Sequence, residues 1–387
     1  MRNKLQDRLI RKASALRLPV MCAMELLPVC NLSCKMCYVR KSMAEVRAAG
    51  GLKDGQWWLD IARQARELGL VYPLLTGGEP LLHPDFRMIL DGMNRLGMQV
   101  SINSNGTLID RDWVRWFTDH RPLRINLTLY GGSAQSYQDL CGDGDAFYRA
   151  REGALLLKEH QIPVKFNASL TPENVAELDD MVAFARKLQI PLQVATYMFP
   201  PTRRDSSMVG RNHRLSPEEA GLARVRNDLL QAEPEFFVGQ AKRFGRFVPL
   251  DQLGPVGEPV SQNMVCRAGV CSFWVDWQGR LDGCGMYSTA QISLEDKPFD
   301  QAWQALTDHT AQVVYDSPCA QCPNAHLCHT CIAMVRNECG DGRERPEYLC
   351  RMNQASARHY VELARAHYPD VEELPTMEQP MPDICVP

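Results

Sequence analysis

No run of apolar residues in this 387-residue chain approaches the roughly 20 needed to cross a bilayer, which points away from a membrane protein. A broad basic excess is missing too. The formal net charge of −3 leaves no electrostatic footprint for a phosphate backbone, so nucleic-acid binding is not expected. Residues 1–18 are locally basic, with Arg2, Lys4, Arg8, Arg11, Lys12 and Arg17 against Asp7 alone. They lack the apolar core and cleavage site of a secretory signal, and an amphipathic helix over residues 1–19 is expected instead. No internal repeat is evident. Hydrophobic content of 45% and charged content of 23% are ordinary for a globular protein, and the length allows one large domain and a smaller one.

What the chain has in excess is cysteine, with 15 residues. Without a secretory signal a cytoplasmic location is expected, and in that reducing compartment clustered cysteines mean metal rather than disulfides. Ten of them fall after residue 265, so the cysteines mark two regions. The first region is Cys30-Asn31-Leu32-Ser33-Cys34-Lys35-Met36-Cys37-Tyr38, just past an apolar run. Three thiolates from one tight loop can hold three irons of a cubane cluster and leave the fourth open for chemistry. A redox dithiol or part of a zinc knuckle would use the same residues.

From residue 20 to about 198, apolar runs alternate with helical patterns. The runs are Val20–Leu27, Leu70–Leu75, Met98–Ile102, Leu123–Tyr130, Val164–Leu170 and Leu192–Met198. Helices are expected around Trp57–Leu68, Asp85–Leu96, Arg111–Thr118, Phe147–His160 and Asn174–Leu188, with Gly69 and Gly97 just past two of them. Six strands alternating with helices predict an α/β fold, a partial, six-stranded TIM-type barrel. Ligands of such folds bind at the C-terminal ends of the strands. Thr76-Gly77-Gly78-Glu79-Pro80, Ser104-Asn105-Gly106-Thr107 and Thr128-Leu129-Tyr130 would join the cysteine loop on that rim.

Cys30, Cys34 and Cys37, taken with the Gly77-Gly78-Glu79-Pro80 turn, resemble the radical S-adenosylmethionine (SAM) superfamily over residues 18–200. The resemblance implies one [4Fe-4S] cluster on the three cysteines, with SAM chelating the open iron and cleaved to a 5′-deoxyadenosyl radical. It also implies SAM contacts at Tyr38, Gly77, Gly78, Glu79, Pro80, Ser104, Asn105 and Thr128. Two features depart from the family. Met36 stands where an aromatic residue usually precedes the third cysteine. Cys141-Gly142 stands where an Arg-Gly often supplies the partner of the SAM carboxylate, which leaves Arg149 and Arg151 as nearby candidates.

The later cysteines are Cys266, Cys271, Cys284, Cys319-x-x-Cys322, Cys328-x-x-Cys331, Cys339 and Cys350. Four of them at this spacing could also make a zinc site. As a set they resemble the SPASM extension of radical SAM enzymes, with two residues rather than the usual three between Cys328 and Cys331. That resemblance implies two auxiliary [4Fe-4S] clusters, one on Cys266, Cys271, Cys284 and Cys331, the other on Cys319, Cys322, Cys328 and Cys350. Cys339 is an alternative to Cys331. The expected organisation is an N-terminal helix (1–19), the barrel (20–200), a helical connection (201–259), a smaller Cys-rich domain binding iron–sulfur clusters (260–355), and a C-terminal helix and tail (356–387).

The family likeness implies an oxidoreductase that modifies a peptide or protein, drawing electrons from a flavodoxin or ferredoxin. Only 29 residues precede Cys30, so the substrate is expected to dock on the barrel, on the SPASM region or through a separate peptide-recognition protein. The alternatives are a dehydrogenase of a small molecule and a sulfatase-maturase-like protein oxidase. Against the last, Gly285 follows Cys284 where those maturases commonly carry an Asp base. The catalytic acid or base is not identified, although Asp276 and Asp282 lie nearby.

Overall fold

The computed structural model describes residues 4–254, 260–263, 266–288, 290–340 and 343–369, with residues 4, 260–263, 315 and 316 described by backbone alone. The expected C-terminal tail, including Cys385, lies outside them. Six strands follow the apolar runs: β1 (Met21–Glu25), β2 (Tyr72–Thr76), β3 (Ser101–Ser104), β4 (Arg124–Leu129), β5 (Val164–Ser169) and β6 (Leu192–Ala195). Each is parallel to the next, in chain order. Their central side chains, among them Leu75, Ile102, Ile125 and Phe166, are fully buried, as a parallel sheet covered by helices requires.

The helices start where short polar side chains can satisfy orphan N–H groups. After α1 (Lys4–Leu16), Ser42 and Glu45 form a capping box on α2 (Met43–Ala48). Asp54 caps α3 (Gly55–Glu67), α4 spans Phe86–Arg95, and Asp110 caps α5 (Arg111–Asp119). Ser133 caps α6 (Ala134–Cys141), which is followed by α7 (Ala146–Glu159). The expected helix from Asn174 begins later, as α8 (Leu178–Leu188). The Asn174 side chain instead donates to Tyr130 O and Ser169 O and accepts from Thr171 N, stitching two strand ends together.

The connection carries α9 (Pro217–Gln231), started by the Ser216–Glu219 capping box, and α10 (Pro234–Phe244). Beyond it come β7 (Val260–Asn263), β8 (Ser272–Val275), β9 (Arg280–Asp282), β10 (Ile292–Ser293), α11 (Phe299–Gln312) and β11 (Val314–Ser317), which pairs with β7. Helices α12 (Ala325–Cys328), α13 (Ile332–Cys339) and α14 (Glu347–His367) finish the described chain. Here the six-stranded expectation needs correcting. β8 pairs in parallel with β1, and β9 and β10 follow antiparallel, so the sheet has nine strands in the order β10-β9-β8-β1-β2-β3-β4-β5-β6. An open barrel leaves β1 with an unpaired edge, and β8 covers it while Phe273 and Val275 join the same core as Met24 and Leu75. The hydrophobic core therefore runs across the boundary drawn at residue 259. Among the described residues no helix is long and apolar enough to cross a membrane.

Candidate functional site

The cysteine loop is held from two sides. On one, Gly78 N donates to Leu27 O at 2.7 Å and Glu79 N to Val29 O at 2.9 Å, clamping the second-strand turn to the chain just before Cys30. This close approach dictates glycine: a Cβ on Gly78 would stand 2.2 Å from Val29 O, and one on Gly77 would stand 2.4 Å from Leu27 O. On the other side, Ser33 N donates to Cys141 O and Lys35 N to Leu140 O, so the end of α6 braces the loop. Lys35 Nζ also pairs with Glu173 at 2.8 Å. The Cys34 and Cys141 sulfurs lie 3.5 Å apart and share a hydrogen bond that lowers the Cys34 thiol and raises that of Cys141. Burial pushes the Cys30 thiol up to about 12 and raises Cys37.

Behind the loop Glu79 is fully buried. Its carboxylate accepts from Ser104 Oγ at 3.0 Å, Asn105 N at 2.8 Å and Leu81 N at 3.2 Å. Burial nevertheless pushes its pKa up to about 7. Asn105 Nδ2 donates to Asn31 Oδ1 at 2.9 Å, and Asn31 Nδ2 donates to Thr107 Oγ1 at 2.8 Å. One network thus fixes the loops after β2 and β3 against the cysteine loop.

A cavity of 420 Å³ opens where these loops meet. Cys30, Cys34, Cys37, Tyr38, Gly77, Gly78, Ser104, Asn105 and Thr128 all lie on its wall. Glu79 and Pro80 do not: both are buried behind the turn, where Glu79 positions Ser104 and Asn105. Sequence reasoning missed Asn103, Asn167 and Ser169, which line the lumen from β3 and β5, with Asn167 the register partner of Thr128. The available signal was a polar residue alternating with Ile102, Phe166 or Ala168 along the strand. It also missed Tyr197, Asn212 and Met286, which come from distant segments. Among the described residues, no charged one lines this cavity. Arg149 pairs with Asp143 at 2.6 Å, and Arg151 lies 3.7 Å over the Phe184 ring, so neither nearby arginine reaches it.

The later cysteines gather in two places. Cys319, Cys322, Cys328 and Cys350 share the wall of one small cavity. Burial pushes Cys350 up to about 12, reinforced by Cys319, Cys328 and Cys322. Burial raises Cys266 and Cys284 as well. Cys331 and Cys271 add to the first, and Cys331 and Cys266 add to the second. Cys331 thus acts on both of them. Gly285 packs flat on the Trp274 indole, where a Cβ would stand 2.7 Å from the ring. No acidic side chain has room there. The donor chemistry suits iron–sulfur clusters: a thiol triplet opens on one cavity, and four further thiols share the wall of another.

Comparison with known proteins agrees with this geometry. The family model of the radical SAM superfamily matches residues 24–185. An AdoMet-dependent heme synthase of Methanosarcina barkeri is 23% identical over 353 residues, covering 85% of this chain and 96% of that protein. Among solved structures, anSMEcpe with bound AdoMet aligns with a TM-score of 0.65 at 17% identity, over 92% of this chain and 97% of that one. Streptococcus suis SuiB bound to precursor peptide SuiA aligns with a TM-score of 0.62 at 17% identity, over 89% and 82%. With the cysteine loop, the second-strand turn and strands β2 to β5 inside the matched segment, residues 24–185 are a radical SAM domain.

Proposed function

We propose that this protein is a radical SAM enzyme that abstracts hydrogen from a peptide or protein and so modifies it after translation. The observation that carries the proposal is the convergence of Cys30, Cys34 and Cys37 with the loops after β2, β3 and β4 on one cavity. Those three thiolates would hold a [4Fe-4S] cluster, and SAM would take the cavity beside it. When bound, the cluster and SAM together supply a reducing electron and a 5′-deoxyadenosyl radical. The chain supplies the seat. Tyr38 stands over the cavity, Ser104 and Asn105 are oriented by Glu79, and Gly77 and Gly78 keep the wall free of side chains. With no cation among the described residues of its wall, polar groups such as Thr128, Asn103, Asn167 and Ser169 would meet a carboxylate.

Cys266, Cys271, Cys284 and Cys331, and separately Cys319, Cys322, Cys328 and Cys350, would hold two auxiliary [4Fe-4S] clusters in a SPASM-type region. Full sets of four thiolates suit electron transfer rather than substrate activation. A flavodoxin or ferredoxin in the cytoplasm is the expected reductant, and a separate peptide-recognition protein would be a further partner. A peptide substrate is favoured by the likeness to SuiB, solved with its precursor peptide. A small-molecule substrate is the second reading, favoured by the likeness to a heme synthase.

The test is reductive SAM cleavage by the anaerobically reconstituted protein, read as 5′-deoxyadenosine by mass spectrometry. Turnover is expected from the wild type and abolished in the Cys30→Ala, Cys34→Ala, Cys37→Ala variant; persistence there would overturn the site. Iron analysis should find about twelve irons per chain for three cubanes, against about four for the cysteine-loop cluster alone.

A further inference from the structure

A second cavity, of 580 Å³, adjoins the first and shares Tyr38, Val39 and Met286 with it. Among the described residues the first cavity has no charged wall residue, whereas this one has many. Lys41, Arg203, Arg204, Arg280 and Arg336 face it, against Glu25, Asp276 and Asp282. That cationic surplus is local, because the whole chain has 46 acidic residues to 43 basic ones. The three acids are also already engaged. Glu25, 1% exposed, takes both arms of the Arg203 guanidinium at 3.0 and 3.2 Å. Asp276 takes Arg280 at 2.6 Å, and Asp282 accepts from Gly283 N at 2.8 Å and from Ser288 Oγ.

The remaining cations have no such partners. Lys41 has only an exposed contact to Glu45 at 3.9 Å. Arg204 has no carboxylate within ion-pair distance among the described residues. Arg336 meets the Gly340 carbonyl at 3.5 Å and the Tyr287 phenol, has no carboxylate within ion-pair distance among the described residues, and keeps its Nε buried without a hydrogen-bond partner. An unpaired guanidinium in a partly enclosed cavity favours a carboxylate, which it can meet through two parallel hydrogen bonds.

We propose that this second cavity docks the substrate through carboxylates, with Arg204 and Arg336 as the groups that select them. The inference rests on the radical SAM reading and deepens it: the substrate is an acidic peptide segment, or a small polycarboxylate if the second reading holds. Tyr38 and Met286 mark where a docked group passes from this cavity toward the reacting one.

Fluorescence anisotropy with the full-length, reconstituted protein tests it at about 50 mM salt, where charge interactions are weakly screened. The probes are a labelled decapeptide carrying four glutamates and its glutamine counterpart. The glutamate probe should bind about tenfold more tightly, and Arg204→Gln with Arg336→Gln should remove that preference. Arg204 lies on an exposed loop, so Arg204→Gln alone should fold and still weaken the acidic probe severalfold. Arg63→Gln with Arg115→Gln, on exposed helix faces, should change nothing. Tricarballylate that displaces the probe from the wild type, with no preference between the two peptides, would identify the small-molecule source of the same chemistry. Equal binding of both peptides without such displacement, or a preference that survives both arginine substitutions, would overturn the proposal. Absence of 5′-deoxyadenosine from the wild type, with acidic binding retained, would overturn the radical reading and leave the docking site standing.

Discussion

Glu79 shows how a motif residue can order a cavity whose wall it does not line. Its buried carboxylate orders Ser104 and Asn105, and its pKa stands at about 7, above the ordinary carboxylate value, because burial outweighs the hydrogen bonds it accepts. A folded-state pKa raised above the unfolded one means that the native state binds the proton more tightly. The stabilisation is then complete below the unfolded value of about 4.5 and is lost as pH rises through about 7. Glu79→Gln removes this titration. The melting-temperature advantage of the wild type over Glu79→Gln should therefore be largest near pH 4.5 and shrink toward pH 8. An advantage constant across that range would show that the carboxyl does not titrate there. The substitution should also cost about 1–3 kcal/mol, because one of the N–H groups of Asn105 and Leu81 would face an amide NH₂. The identity of this residue was legible in the sequence, since Glu79 sits in a recognisable turn. Its role was not, because a linear motif does not tell which way a side chain points.

At the scale of elements, strands and caps were the legible part. Asp54, Asp110 and Ser216 start helices as short polar side chains before a periodic apolar face should, and all six apolar runs between residues 20 and 198 became strands. Asn174 misled because its partners, Tyr130 O and Ser169 O, are tertiary. The same limit hid Asn103 and Asn167: only the curled sheet shows that these positions face a cavity. The second-strand turn and the cysteine loop act as one element, joined by the contacts of Gly78 and Glu79 to Leu27 and Val29. Gly78→Ala would put a methyl group 2.2 Å from Val29 O and force that joint apart. The overpacking should cost about 1–3 kcal/mol. Because the joint positions Cys30, the variant should also lose roughly a third of its iron after reconstitution, with the auxiliary share retained. A variant with full iron and unchanged stability would mean that the turn is free to move away from the loop.

For the whole molecule, the two cysteine regions are bound into one body. The sequence suggested a barrel with a separate appendage, because composition changes near residue 255 and each cysteine field has its own spacing. Strand pairing at a distance leaves no local trace, so the join of β8 to β1 could not be read. Its consequence is testable by ending the chain at residue 254. The truncation bares the β1 edge along Met21–Met24 and strips Phe273, Val275, Leu281, Phe299 and Leu306 from the core they share with the barrel. Each buried side chain of this kind contributes about 1.5–3 kcal/mol, so the five together approach the 5–15 kcal/mol by which a typical domain is stable at all. α9 and α10 would lose their cover as well, since Val225 of α9 and Phe237 and Phe244 of α10 share a core with Tyr360 of α14. An exposed parallel strand beside an uncovered apolar surface is a template for aggregation. The truncated chain should therefore be insoluble, or melt without cooperativity, although it retains every residue of the radical SAM match. A soluble, cooperatively melting 1–254 fragment that binds four irons would show instead that the barrel stands alone, and that β8 merely rests against its edge.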